Sequence, residues 1–145
     1  LFWQNSWEII KESPWLGVGT GDFQSVYAEV NKRKSPRREA TDNPHNQYIF
    51  VLCQLGLLGL AGLLGIFGIQ IRQAFVLADA GQGRPSVAGA KDGKRVTGWE
   101  RLRLAFPLFF LTIMCTESYL IIAQTGFLFT LFSAVLYARK VSPEA

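Results

Sequence analysis

The chain has 145 residues, 49% of them hydrophobic, and a net charge of +4. The apolar residues are gathered into two long blocks, which excludes an ordinary soluble domain of this length. The basic excess comes with neither an RNA-binding aromatic motif nor a zinc-ligand spacing, so no nucleic acid and no metal is expected. The two cysteines, Cys53 and Cys115, both fall inside the apolar blocks and read as apolar filler.

The chain opens on LFWQNSWEII, without an initiator Met or a basic leader. It therefore reads as the C-terminal part of a longer polytopic membrane protein. Residues 1–46 form a polar segment with two short helical patterns. In the first, Trp3, Trp7, Ile9 and Ile10 suit one helical face, with the tryptophans expected at a membrane–water interface. Ser13-Pro14 should end that helix. The stretch PWLGVGTGDF then alternates Gly17, Gly19 and Gly21. This is G-x-G-x-G rather than G-x-G-x-x-G, and no βαβ unit surrounds it. It reads as a turn needing positive φ or close backbone approach, with an anion-binding helix start as the alternative. Thr20 or Asp22 should cap the second helix, DFQSVYAEV.

The run KRKSPRRE follows, with Lys32, Arg33, Lys34, Arg37 and Arg38. It is either a solvated loop or a site for phosphate groups, which guanidinium forks match well. Asp42-Asn43-Pro44 is turn chemistry. Next comes His45, the only histidine in the chain, at the mouth of a run of 24 uncharged residues from Gln47 to Gln70. As a helix, that run reaches roughly 36 Å, enough for one membrane span over residues 47–71. At about 100° per residue, Gly56 and Gly59 fall within roughly 20° and 40° of His45 on the helical wheel. They are expected to form a helix-packing motif below the imidazole. An imidazole's unperturbed pKa of about 6.5 suits a base acting on a hydroxyl.

Residues 72–103 read as a polar loop carrying Arg72, Arg84, Lys91, Lys94, Arg95, Arg101 and Arg103. Residues 104–138 hold one charge before Arg139, at Glu117. They are too long for one pass and read as a hairpin of two spans turning between Thr116 and Thr125. Residues 139–145 form a tail. Basic loops stay cytoplasmic, which places 72–103 and the tail inside and leaves 1–46 and Glu117 on the outer face. The basic cluster at 32–38 runs against this rule. An acid inside an apolar block is costly and often functional. Glu117 is therefore expected to pair with a loop Arg or to orient His45, unless it merely reaches headgroup water. The fold expected is all-α: a polytopic transmembrane helical fragment with an amphipathic periplasmic loop and about three spans.

His-Asn, nine residues and Gly-Leu-Leu-Gly, preceded by SPWLGVGTGDF, resemble the O-antigen ligase and polymerase family of bacterial membrane glycosyltransferases. The resemblance implies a multi-pass protein of the bacterial inner membrane whose active site faces the periplasm. The donor it implies is an undecaprenyl-pyrophosphate-linked glycan. The acceptor is a lipid A–core sugar or another glycan, and membrane lipid surrounds the site. It implies transfer without cofactor, metal or nucleotide sugar. His45 matches the motif histidine, the general base, while Asn46, Gly56 and Gly59 match the rest of the motif. The family's pyrophosphate-binding arginine lies upstream of Leu1. By chemistry, Arg33, Arg37 and Arg38, with Asn46, are the candidates for that role here, and the fragment alone should be inactive. Polymerases and protein O-oligosaccharyltransferases share the motif. From other classes, a proton-coupled transporter segment and a non-catalytic lipid-binding anchor compete with this reading. A transporter favours polar groups and helix breaks at mid-span.

Overall fold

The computed structural model describes residues 2–82, 98–118, 120 and 123–137, and all regular structure among them is helical. The helices are α1 (Phe2–Glu12), α2 (Phe23–Lys34), α3 (Gln47–Gln82), α4 (Gly98–Ile113) and α5 (Ala123–Tyr137). The expected loop 72–103 is partly helix, since α3 continues to Gln82 and α4 starts at Gly98. Its remaining basic residues, Arg84, Lys91, Lys94 and Arg95, and the tail with Arg139 and Lys140, lie outside the described residues.

α3 is the strut to which the other helices attach. Its first part packs against α1 and α2 through Ile9, Ile10, Phe23, Tyr27, Val30 and Cys53, with Phe50 edge-on to Phe23 at 5.0 Å. Its later part packs against α4 and α5 through Phe67, Phe110 and Met114, joined by Phe106 and Phe129. On α1, Ile9 is fully buried while Trp3 and Trp7 stay more than half exposed. The four residues expected on one face are thus divided between the core and the surface.

Proline shapes α4. Pro107 lies inside the helix and has no N–H to give, which frees the carbonyl of Arg103 four residues earlier. That carbonyl accepts the hydroxyl of Tyr137 from α5, while Arg103 Nε donates to the Leu136 carbonyl at 2.7 Å. The far ends of α4 and α5 are latched by the group that proline releases.

Among the described residues, one helix is long and apolar enough to cross a membrane: Gln47–Leu77, within α3. α4 and α5 have 16 and 15 residues, or about 24 and 22 Å, against a bilayer core of about 30 Å. Three spans were expected; the described helices supply one of full length and two shorter ones.

Nor is α3 a continuous helix. Gly56 has φ 63° and ψ −161°, a conformation essentially confined to glycine. The break strips the carbonyls of Cys53 and Gln54 of their usual donors, and the N–H groups of Leu57 and Leu58 of their usual acceptors. Residues 14–19 replace every one of these bonds. Val18 N–H donates to the Cys53 carbonyl at 2.8 Å and Gly19 N–H to the Gln54 carbonyl at 3.0 Å. Leu57 N–H donates to the Pro14 carbonyl at 2.8 Å and Leu58 N–H to the Trp15 carbonyl at 3.3 Å. In an apolar setting an unpaired backbone group is costly, so the PWLGVG turn makes the break tolerable. Such contact needs two backbones with no Cβ between them. A Cβ on Gly56 would lie 2.3 Å from the Trp15 carbonyl, and one on Gly17 2.3 Å from the Gln54 carbonyl carbon. Gly17, Gly19 and Gly21 all have positive φ, as a turn of this kind requires.

This changes what the two motif glycines do. The wheel that put Gly56 and Gly59 beneath His45 assumed one unbroken helix from His45 onward. In fact α3 starts at Gln47 and resets its phase at Gly56. Gly56 admits a turn rather than a neighbouring helix. A Cβ on Gly59 would meet Leu55 of its own helix, at 2.2 Å across the break. Below the break, residues 57–77 alone reach about 31 Å, so the lower piece suffices to span a bilayer core.

Candidate active site

His45 lies just before α3, with φ 54°. Few non-glycine residues occupy this left-handed region, histidine among the more tolerant. The turn that holds it there is built by Asn43, whose side-chain oxygen accepts the His45 N–H at 2.8 Å across Pro44. Thr41 adds a second tie, its hydroxyl accepting the Asn43 N–H at 3.1 Å and donating to the Asn43 carbonyl at 2.8 Å. Pro44 is fully buried, and its carbonyl accepts Trp3 Nε1 of α1 at 3.2 Å. The Phe2 ring lies 5.7 Å from the imidazole, centroid to centroid.

Glu117 approaches His45 from the opposite side of the molecule's sequence, in the turn after α4. His45 Nδ1 is 3.0 and 3.2 Å from the two Glu117 carboxylate oxygens. The same carboxylate accepts the Ser118 N–H at 3.1 Å and Asn43 Nδ2 at 3.1 Å. His45 and the Ser118 backbone hold the Glu117 carboxyl below its ordinary range, because each donor favours the charged form. The imidazole side chain is 51% exposed and the carboxylate 31%, so the pair sits at a surface.

The turn bearing Glu117 is bound to the start of α3. Gln47 N–H donates to the Met114 carbonyl at 2.9 Å, and the Gln47 side-chain oxygen accepts the Leu120 N–H at 3.2 Å. Asn46 accepts the Ile49 N–H at 3.0 Å, which makes it the N-cap of α3. Its amide also donates to the Cys115 carbonyl at 2.9 Å, and the residue is 7% exposed. The structure thus gives Asn46, considered above for pyrophosphate, an internal task of capping and fastening.

The basic cluster forms a separate feature. Arg33 is 3.7 Å from Glu12, and Lys34 is 3.0 Å from Glu8. Arg37 and Arg38 are exposed and make no ion pair among the described residues. Lys32 and Arg38 line a hollow of about 380 Å³ with Ala28, Asn31, Pro36 and Ala40. A buried relay fixes its floor. Asn5 Nδ2 donates to Asn31 Oδ1 at 3.0 Å and Asn31 Nδ2 to the Arg38 carbonyl at 2.7 Å. Asn5 also reaches the Tyr27 hydroxyl, whose pKa burial pushes up. No hydrogen bond or ion pair joins Arg33, Arg37 or Arg38 to His45 or Glu117 among the described residues.

The arrangement thus unites His45 and Glu117 at one point, around a turn made by Asn43, at the head of the helical piece that ends at the Gly56 break. The family comparison recognises the part of this arrangement that comes before α4. Residues 1–64 match the family model Wzy_C, O-antigen ligase. No curated protein and no solved structure matches the chain. The match covers α1, α2, the PWLGVG turn, His45 and both motif glycines, and it ends within α3. The resemblance read from the sequence extended over nearly the whole chain. α4, Glu117 and α5 lie outside the matched residues. Sequence reasoning missed Asn43 as a site residue, although an Asn two positions before the only histidine, with Pro between, is the signature of the side-chain turn it forms.

Proposed function

We propose that this chain is part of a membrane glycosyltransferase of the O-antigen ligase type, with His45 as its general base. The observation that carries the reading is the His45–Glu117 pair, with Nδ1 3.0 Å from the carboxylate. A paired, half-exposed imidazole at the head of an apolar helix can take a proton from a hydroxyl arriving at the membrane surface. In this reading the acceptor hydroxyl oxygen bonds to the anomeric carbon of a glycan carried on undecaprenyl pyrophosphate. Its proton passes to His45. The bond from that carbon to the pyrophosphate oxygen breaks, and the electron pair leaves with the pyrophosphate. Attack opposite the leaving group inverts the anomeric centre. The charge left on the pyrophosphate suits arginine, and Arg33, Arg37 and Arg38 are the candidates by chemistry. The site would face the periplasm, with α3 crossing the inner membrane.

Transfer to a lipid A–core sugar is the first choice of acceptor. A growing glycan or a protein hydroxyl would use the same base. The break at Gly56 is a feature the transporter alternative favours, but the polar pair, His45 and Glu117, meets at the head of α3, not in its middle. The test places His45→Ala in the complete membrane protein, expressed in a strain lacking its own ligase. Loss of O-antigen laddering on a lipopolysaccharide gel, at unchanged protein level, is expected. Normal laddering overturns the assignment of His45 as base.

A further inference from the structure

We propose that Asn43 and Glu117 form a clasp that keeps the proton of neutral His45 on Nδ1, leaving Nε2 as the atom that receives the acceptor's proton. The inference rests on the reading of His45 as base and adds two positioning residues to it. Neither touches substrate in this assignment; both act through the imidazole.

An ionised carboxylate can only accept hydrogen bonds. With both Glu117 oxygens within 3.2 Å of Nδ1, that nitrogen must be the donor. In the neutral ring the other nitrogen, Nε2, then carries the lone pair. The carboxylate stays ionised because three donors converge on it: His45 Nδ1, the Ser118 N–H and Asn43 Nδ2. As protonation develops on Nε2, the adjacent negative charge stabilises the imidazolium, so the carboxylate supports the base in both states.

Asn43 links the backbone to this chemistry. Its oxygen accepts the His45 N–H at 2.8 Å and the Ser118 hydroxyl at 2.8 Å, while its nitrogen donates to Glu117 Oε1 at 3.1 Å. One side chain therefore fixes the left-handed turn at His45, the residue after Glu117, and the carboxylate itself. His45 and Glu117 lie 72 positions apart in sequence. A residue serving only the turn would need the first of these bonds. The other two aim at the partner of the imidazole.

His45 is the chain's only histidine, so its ring nitrogens can be observed alone. The test is ¹⁵N NMR of the 145-residue chain labelled at histidine and held in lipid nanodiscs. The wild type is expected to show Nδ1 protonated and Nε2 bare in the neutral ring. Glu117→Ala should shift the ring toward the Nε2-protonated form that free imidazole prefers. Glu117→Gln, whose carbonyl still accepts, should retain the wild-type form, and Asn43→Ala should fall between. A wild-type spectrum with Nε2 protonated overturns the clasp, as does a Glu117→Ala spectrum identical to wild type. If Glu117→Ala does not fold, the wild-type and Glu117→Gln spectra still decide. In the complete protein, Glu117→Ala should lower ligation by about 10²-fold, with substantial recovery in Glu117→Gln. Failure of the parent reading looks different. If His45→Ala still ligates while the tautomer follows Glu117, the clasp stands and the base assignment falls. If His45→Ala is dead and the tautomer ignores Glu117, only the clasp falls.

Discussion

Two apolar clusters grip α3 from different directions, and they do so by different means. The first, with α1 and α2, lies within the residues that match the O-antigen ligase family. It engages α3 above the break, where the PWLGVG turn supplies backbone hydrogen bonds in place of helical ones. The second, with α4 and α5, is an aromatic stack around Phe106, Phe110 and Phe129, outside the matched residues apart from Tyr48 and Leu63. It engages α3 mainly below the break, at Leu63 and Phe67, and reaches the head of the helix through Tyr48. His45 sits where α1 and the turn after α4 approach each other, with the Phe2 ring 5.7 Å from its own and Glu117 3.0 Å from Nδ1. The difference teaches that a family match can take in the histidine without taking in the carboxylate that holds it. The histidine and the two motif glycines lie in the matched residues. The carboxylate lies outside them.

The strongest way to break the comparison is to fill the contact that only the first cluster uses. Gly56→Ala places a Cβ 2.3 Å from the Trp15 carbonyl at a φ of +63°. Backbone strain of about 1–3 kcal/mol and overpacking of about 1–3 kcal/mol should together cost the chain about 3 kcal/mol. Gly17→Ala attacks the same contact from the other side, with its Cβ 2.3 Å from Gln54. The double variant should therefore cost well under the sum of the two, since either change alone already opens the contact. Thermal unfolding in nanodiscs reads both. Strict additivity would mean the turn and the break are independent.

A smaller effect probes the other side of the comparison. Glu117 is held below its ordinary carboxylate range, first by His45 and then by the Ser118 backbone. A carboxyl lowered in the folded state contributes stability above its unfolded value, about 4.3, and loses it as pH falls through the folded value. The difference in melting temperature between wild type and Glu117→Gln should thus shrink toward zero as pH falls from about 5 to below about 4. The carboxylate is 31% exposed, so the effect belongs to the modest range of solvent-touched pairs. A difference that grows as the solution is acidified would mean that Glu117 stabilises this turn as the neutral acid.

Part of this was legible in the sequence. A lone histidine at the head of an uncharged run and a lone acid in the later apolar block are conspicuous because water-seeking groups are costly there. Their chemistry suggested each other even though 72 positions separate them. The helical segments 2–12 and 23–34 also follow from their punctuation by Ser13-Pro14 and by the glycine turn. The break at Gly56 was not legible. A glycine within an apolar run fits a helix–helix contact as well as a positive φ, and only the partner backbone, some forty residues away, distinguishes them. Counting at about 100° per residue past such a point assigns faces that the chain does not have. Asn46 misled for a related reason: a polar residue beside a catalytic candidate looks available until its own hydrogen bonds are counted.

The smallest expected effect has the opposite sign and separates the glycines of the break from those that follow it. Gly62, Gly65 and Gly68 lie in regular helix, and a Cβ added to any of them meets nothing within 4 Å in this chain. Alanine there restores a side chain that costs the helix no contact and narrows the unfolded ensemble. Gly62→Ala should therefore stabilise the chain by about 0.5–1 kcal/mol, against the loss of about 3 kcal/mol at Gly56. The contrast separates two origins for glycine in an apolar helix. One is a conformation no other residue adopts, and it must appear in the isolated chain. The other is close approach by a partner helix, and it appears only when that helix is present. If Gly62→Ala stabilises the isolated chain yet impairs the complete membrane protein, the open face of α3 at Gly62 receives a helix from outside these residues. If it stabilises both, that face meets lipid, and the small side chain is there for no packing reason.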